Sequence, residues 1–212
     1  MAYKCVVFDF DGTLADTEEL AFEIYNALAS KYKYKPVSRE ELLQIKNLHI
    51  KEIMAMVDIP FYKLPRVLSQ GQKRMRARTG EIRAFNPEIG AVLGALRETT
   101  EVMGILTSNV KRTVQAFLER YGLSGDFDFL MSSALLSKQK KIKKVLGRYG
   151  LEAGELLYVG DETRDIEACK NAGVDVAAVC WGYNSPLALK RCNPTYMAET
   201  LEDILEIVKD RA

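Results

Sequence analysis

The stretch KCVVFDFDGTLADT, residues 4–17, sets two aspartates, Asp9 and Asp11, at the end of an apolar run. Two further strand-like runs also finish in polar groups. MGILTSN leaves Thr107, Ser108 and Asn109, and LLYVGDETRD leaves Asp161, Glu162 and Asp165. Carboxylates gathered in this way repel one another unless a cation sits among them. Oxygen ligands with no nearby histidine or cysteine suit Mg²⁺ better than zinc. Mg²⁺ takes few protein carboxylates and leaves its other positions to water and phosphate oxygens. The chemistry indicated is therefore metal-assisted work on a phosphate group. Taken alone, the GDxxxD spacing of Asp161 and Asp165 fits a helix start with acids in its first turn equally well. Beside Asp9 and Asp11 the metal reading prevails. A phosphate also needs positive partners. Thr107 and Ser108, just before a helical stripe, offer a hydroxyl and backbone N–H groups to an anion. Of the lysines in SKQKKIKKVL, Lys138 opens the helix, whereas Lys140, Lys141, Lys143 and Lys144 read as a solvated face.

The elements that must hold these groups are legible as alternating apolar runs and amphipathic stripes. Strand-like runs fall at 5–10, 102–107, 127–131, 156–161 and 174–181. Between and after them, stripes such as Ile89/Val92/Leu93/Leu96 and Val114/Phe117/Leu118/Tyr121 predict helices, as do Ile142/Val145/Leu146/Tyr149 and Leu201/Ile204/Leu205/Val208. Gly122, Gly150 and Gly173 mark left-handed helix ends. Strands alternating with helices predict an α/β fold, a parallel sheet covered on both faces. Ligands of such a sheet bind beyond the carboxyl ends of its strands, which is where the polar groups stand. Residues 17–82 differ. They carry helical patterns broken by Pro36, Pro60 and Pro65 and no buried strand. We read residues 1–16 and 83–212 as a catalytic core and 17–82 as an inserted helical unit, with joints near 15–17 and 82–85. The basic stretch GQKRMRARTG closes the insertion. It reads as a solvated helix face or, less favoured, as a contact for a second anionic group of the substrate.

Composition narrows the function further. The 212 residues carry a net charge of +1, which gives no electrostatic case for nucleic acid or an acidic membrane surface. No apolar run approaches the about 18 residues of a membrane span, and no signal peptide is visible at the start. Cys5, Cys169, Cys180 and Cys192 show no close pairing, which suits reduced thiols and a cytoplasmic location. His49, the only histidine, reads as a surface or packing residue and not as a catalytic base.

The order DFDGT, a strand ending in TSN, a lysine at a helix start and then GDETRD resembles the haloacid dehalogenase-like hydrolase superfamily. Within it the chain is similar to the phosphoglycolate phosphatase-like branch, whose helical cap is inserted after the first motif. VCWGYNSP at 179–186 is also similar to runs in such phosphatases, whereas Asn47-Leu48-His49 departs from the glycine-rich cap loop of that branch. The resemblance implies a three-layer Rossmann-like core and a Mg²⁺-dependent phosphatase acting on a small phosphorylated metabolite. It assigns Asp9 as nucleophile, forming an aspartyl-phosphate, and Asp11 as the acid that protonates the leaving oxygen and later deprotonates water. Thr107, Ser108 and Lys138 would hold phosphate oxygens. Asp9, the Asp11 carbonyl and Asp161 would hold the metal. Asp165 would orient Lys138 or metal-bound water, Gly12 would leave room for the turn, and Thr13 would brace it. A phosphomutase of the β-phosphoglucomutase type, and a non-catalytic phospholigand-binding module, are the alternatives. A monomer or a homodimer is expected.

Overall fold

The computed structural model describes residues 2–132 and 137–211. The chain begins with β1 (Cys5–Phe8) and β2 (Ala15–Asp16). Four helices follow: α1 (Glu18–Tyr32), α2 (Arg39–Ile45), α3 (Ile50–Met56) and α4 (Leu64–Ala77). After β3 (Arg83–Ala84) come α5 (Ile89–Thr99), β4 (Val102–Thr107), α6 (Lys111–Tyr121) and β5 (Phe129–Ser132). The last part runs α7 (Lys138–Tyr149), β6 (Leu156–Gly160), α8 (Thr163–Ala172), β7 (Asp175–Val179), α9 (Pro186–Arg191), β8 (Tyr196–Ala198) and α10 (Leu201–Lys209).

Six strands form one parallel sheet in the order β5-β4-β1-β6-β7-β8. The chain builds outward from β1 through β4 to β5, then crosses back to lay β6 on the other side of β1. Strand order therefore reverses at the carboxyl end of β1, the position where open α/β sheets bind ligands. All four residues of β1 are buried, as a central strand covered on both faces requires. Alternate residues of β1 enter separate cores. Val6 and Phe8 join Leu93, Phe117 and Ile204 on one face, and Cys5 and Val7 join Ile142, Val145 and Ile166 on the other. Helices thus cover both faces, giving the expected three-layer α/β architecture.

Between β2 and β3 the chain is helical, and these two strands form a small ribbon. Ala15 pairs with Ala84 and Asp16 with Arg83 in antiparallel register, so the chain departs and returns side by side. Pro65 lies in the first turn of α4 and starts that helix, where a missing N–H costs nothing. Gly122, Gly150 and Gly173 end their helices with φ of 71°, 62° and 80°.

Several boundaries differ from the sequence pattern. β1 ends at Phe8 and not at residue 10, because Phe10 N–H turns to the Asp9 carboxylate at 2.7 Å and leaves the ladder. β5 is displaced toward Ser132, and β6 and β7 are shorter than the apolar runs that mark them. β8 has no counterpart among the predicted strands. It is a three-residue edge strand, Tyr196–Ala198, following Pro194, and its apolar stretch is too short to stand out as a strand.

Candidate active site

β1 delivers Asp9 while the backbone is still held: Asp9 N–H donates to the Val159 carbonyl at 2.8 Å. Immediately afterwards the chain turns. Leu14 and Ala15 N–H both donate to the Phe10 carbonyl at 3.0 Å, and Gly12 N–H donates to the Ala15 carbonyl at 2.9 Å. Phe10 itself is fully buried and packs edge-on against Phe117, with centroids 5.0 Å apart. That anchor separates the two aspartates. Asp9 points inward, 2 % exposed, while Asp11 opens on the cleft and accepts from Asn109 Nδ2 at 3.0 and 3.1 Å.

Lys138, at the start of α7, is 3 % exposed. Its ammonium donates to Asp9 Oδ2 and, at 2.5 Å, to Asp165 Oδ1, and it lies 5.5 Å from the Tyr158 ring centroid. A lysine this buried at a helix N-terminus has desolvation and the helix dipole against it, so it persists only between carboxylates. Burial works against its charge, but Asp165 and Asp9 outweigh burial and hold it above the ordinary lysine value. Burial pushes Asp9 up to about 7, with Lys138 pulling the other way. Asp11 is also raised by burial, partly offset by hydrogen bonds from Thr17 and Asn109. Asp165 spends its other oxygen on Glu162 N–H at 3.3 Å.

Asp161 sits at the end of β6, wholly buried. Its carboxylate accepts from Thr13 Oγ1 at 2.9 Å and from Tyr183 N–H at 2.8 Å. Two glycines make room for it. A Cβ on Gly12 would fall 2.0 Å from Asp161 Oδ2, and one on Gly182 would fall 2.2 Å from Asp161 Cβ. Gly12 also takes φ of 77°, the left-handed region that favours glycine. Burial and then the charges of Glu162, Asp9 and Asp165 push the Asp161 carboxyl well above the usual range.

Among the described residues, Asp9, Glu162 and Asp165 each offer a carboxylate oxygen within 4.8 Å of the others. This all-oxygen donor set fits a hard divalent cation. The grouping shares Asp9 with the predicted ligands Asp9, Asp11 and Asp161; Asp161, beside Glu162, has its oxygens on Thr13 and Tyr183. Thr107, fully buried, accepts from Asn109 N–H at 2.9 Å, and Ser108 lines the cleft. The fold thus brings Asp9, Asp11, Gly12, Thr13, Thr107, Ser108, Lys138, Asp161 and Asp165 to the ends of β1, β4 and β6.

Three contributions lay outside the predicted set. Arg164, mostly buried, forks onto Glu162 through Nε at 2.7 Å and through Nη2. Asn184 accepts from Thr163 N–H at 2.9 Å and donates to the carbonyls of Lys46 at 3.0 Å and Leu48 at 3.3 Å. Tyr183 pairs its hydroxyl with Thr17 Oγ1 at 2.7 Å. Arg164 lies within GDETRD, and Tyr183 and Asn184 within WGYNSP, but neither motif's spacing says which side chains turn inward. His49 meets Glu167 of α8 at 2.9 Å, on the seam between insertion and core.

A parallel sheet carrying acids at its switch point, with a lysine buried between two of them, defines a hydrolase-type α/β site. The haloacid dehalogenase-like hydrolase family model matches residues 6–179, most of the chain, which therefore belongs to that family. A phosphoglycolate phosphatase of Synechococcus elongatus is 31% identical over 97% of both chains. A pyrophosphatase PpaX of Bacillus velezensis is 27% identical, covering 95% of this chain and 94% of its own. The crystal structure of a predicted phosphatase from Clostridium acetobutylicum superposes with a TM-score of 0.84 at 18% identity, covering 99% of this chain and 100% of that one.

Proposed function

We propose that the chain is a Mg²⁺-dependent phosphomonoesterase that works through an aspartyl-phosphate on Asp9. The observation that carries this reading is the divergence of the two aspartates, one locked beside Lys138 and the other facing the cleft. An Asp9 oxygen attacks phosphorus, forming an O–P bond as the bond to the leaving oxygen breaks, and Asp11 gives that oxygen its proton. In the second step Asp11 takes a proton from water. The water oxygen bonds to phosphorus, and the Asp9 carboxylate departs with its electron pair. Lys138 offsets the charge on the phosphoryl oxygens, and Asp165 keeps Lys138 in place. The Thr107 hydroxyl and the Ser108 backbone N–H receive the same oxygens. A divalent cation would neutralise the acids and the phosphate together, and its protein ligands would be Asp9 with acids at the end of β6.

Residues 17–82 would act as the cap that excludes water during attack. The activities printed for the relatives support phosphate release from a small phosphorylated metabolite. The test is release of phosphate from 4-nitrophenyl phosphate. We expect activity with Mg²⁺, its loss in EDTA, and a fall of at least about 10³-fold in Asp9→Asn, since no nucleophile remains. Full activity in that variant would remove Asp9 from the mechanism.

A further inference from the structure

The phosphate end of the cleft is rich in charge, but its far wall is not. Small-ligand pockets span about 300 to 1,000 Å³, and the space between core and insertion measures 470 Å³. Asp11, Ser108, Asn109 and Arg164 line the core side. The opposite wall is built by α1 and α4, with Ile24, Leu28, Val67, Leu68 and Met75 facing the space beside Tyr25 and Tyr34. The two tyrosine rings lie 4.8 Å apart. Their hydroxyls are already spent on the backbone, Tyr25 donating to the Lys35 carbonyl at 2.8 Å and Tyr34 to the Tyr25 carbonyl at 2.6 Å. Gln72 gives its amide N–H to the Ser108 carbonyl at 3.1 Å. What these residues present to a ligand is chiefly ring face and aliphatic carbon.

Lysine and arginine side chains do not line that wall. Among the described residues lining the cleft, none from the insertion is a lysine or arginine. Of the basic stretch, Arg78 is held by Glu23 at 2.7 Å and by Glu81 at 2.5 Å. Lys73, Arg74 and Arg76 do not line the space. Arg164, on the core side, is engaged with Glu162. A second anionic group on the substrate would be buried against apolar side chains without a dedicated partner, which is costly.

Building on the phosphatase reading, we infer that the substrate's leaving group is uncharged and apolar or aromatic, seated on the wall formed by α1 and α4. This sets the chain apart from relatives named for phosphoglycolate and pyrophosphate, whose substrates carry a second anion next to the phosphate. Binding energy gathered on the apolar wall would orient the phosphate toward Asp9.

The test compares phosphate release from benzyl phosphate, 2-phosphoglycolate and pyrophosphate by the full chain with Mg²⁺. The expected result is a kcat/KM for benzyl phosphate at least about tenfold above the other two. Two substitutions add a cation to the wall. Gly71→Arg uses a position on α4 with nothing within 4 Å of a new Cβ, and Leu68→Arg uses a side chain that is 43% exposed. Each is expected to shift the ratio toward phosphoglycolate by about tenfold, the scale of one hydrogen bond to a charged group. Wild-type preference for either doubly anionic substrate, or ratios unmoved in both variants, overturns the inference while leaving the phosphatase reading intact. Release from none of the three, nor from 4-nitrophenyl phosphate, removes both.

Discussion

Asp9, Asp11 and Asp161 each have a raised pKa in this fold, and burial is the first cause for all three. An acid whose folded value lies above its unfolded value binds more protons when folded, so its contribution to stability declines as pH rises between the two. For Asp9 that window runs from the ordinary aspartate value to about 7. Cation-free protein should therefore melt at a lower temperature at pH 7.5 than at pH 5.5, and added Mg²⁺ should raise the melting temperature more at the higher pH. Equal effects of Mg²⁺ at both values would argue that these acids do not hold it. The same measurement separates the acids of β6. The resemblance places the metal on Asp161, and the fold also brings a Glu162 oxygen within 4.8 Å of Asp9 and Asp165. Asp161→Asn or Glu162→Gln should abolish the Mg²⁺ shift, according to which one ligates.

The loop after β7 is the element with the most varied duties. Gly182 lets it pass Asp161, Tyr183 N–H holds that carboxylate, and Asn184 joins the first turn of α8 to the carbonyls following α2. Ser185 extends the link, with its N–H on the Lys46 carbonyl at 2.8 Å and its hydroxyl on Asn47 Oδ1 at 2.6 Å. One short segment thus touches an acid of the candidate site and the backbone that follows α2 together. Gly182→Ala would force a Cβ into Asp161, and overpacking of this kind costs about 1–3 kcal/mol. The expected outcome is a melting temperature lower by roughly 2–4 °C per kcal/mol, accompanied by a loss of turnover because Asp161 must move. Unchanged turnover together with unchanged melting would show that the loop yields freely.

At the scale of the molecule, the chain termini are tied across the sheet edge far from the site. Arg211 reaches both Tyr3 and Asp175, Tyr3 donates to Asp175 at 2.8 Å, and Thr195 joins Asp175 at 3.2 Å. Burial would raise Asp175, but its bonds to Arg211 and Tyr3 prevail and hold the carboxyl below the usual value. A depressed acid contributes stability above its unfolded value and loses it as pH falls through its folded value. Asp175→Asn should therefore flatten the acid limb of the stability curve below about pH 4, read as melting temperature against pH. An acid limb identical to that of wild type would assign no such role to this cluster.

By itself, the sequence determined the layers and the kinds of atom in the site. The apolar runs demanded a doubly covered sheet, and Asp9, Asp11, Thr107 and Asp161 closed those runs, so topology alone would carry them to one edge. Lys138 was legible because it opens its helix. Tertiary structure decided what those atoms face. Only the packing of Phe10 on Phe117 shows that Asp9 turns to Lys138 while Asp11 turns to the cleft. Only the approach of Gly12 and Gly182 shows how tightly Asp161 is enclosed. The wall formed by α1 and α4 was the least legible, since periodicity shows that a helix has an apolar face but not what that face covers. Here part of it faces the carboxyl end of the sheet, with Arg78 turned to Glu23 and Glu81, because the crossing at Ala15–Asp16 and Arg83–Ala84 fixes where the helices return.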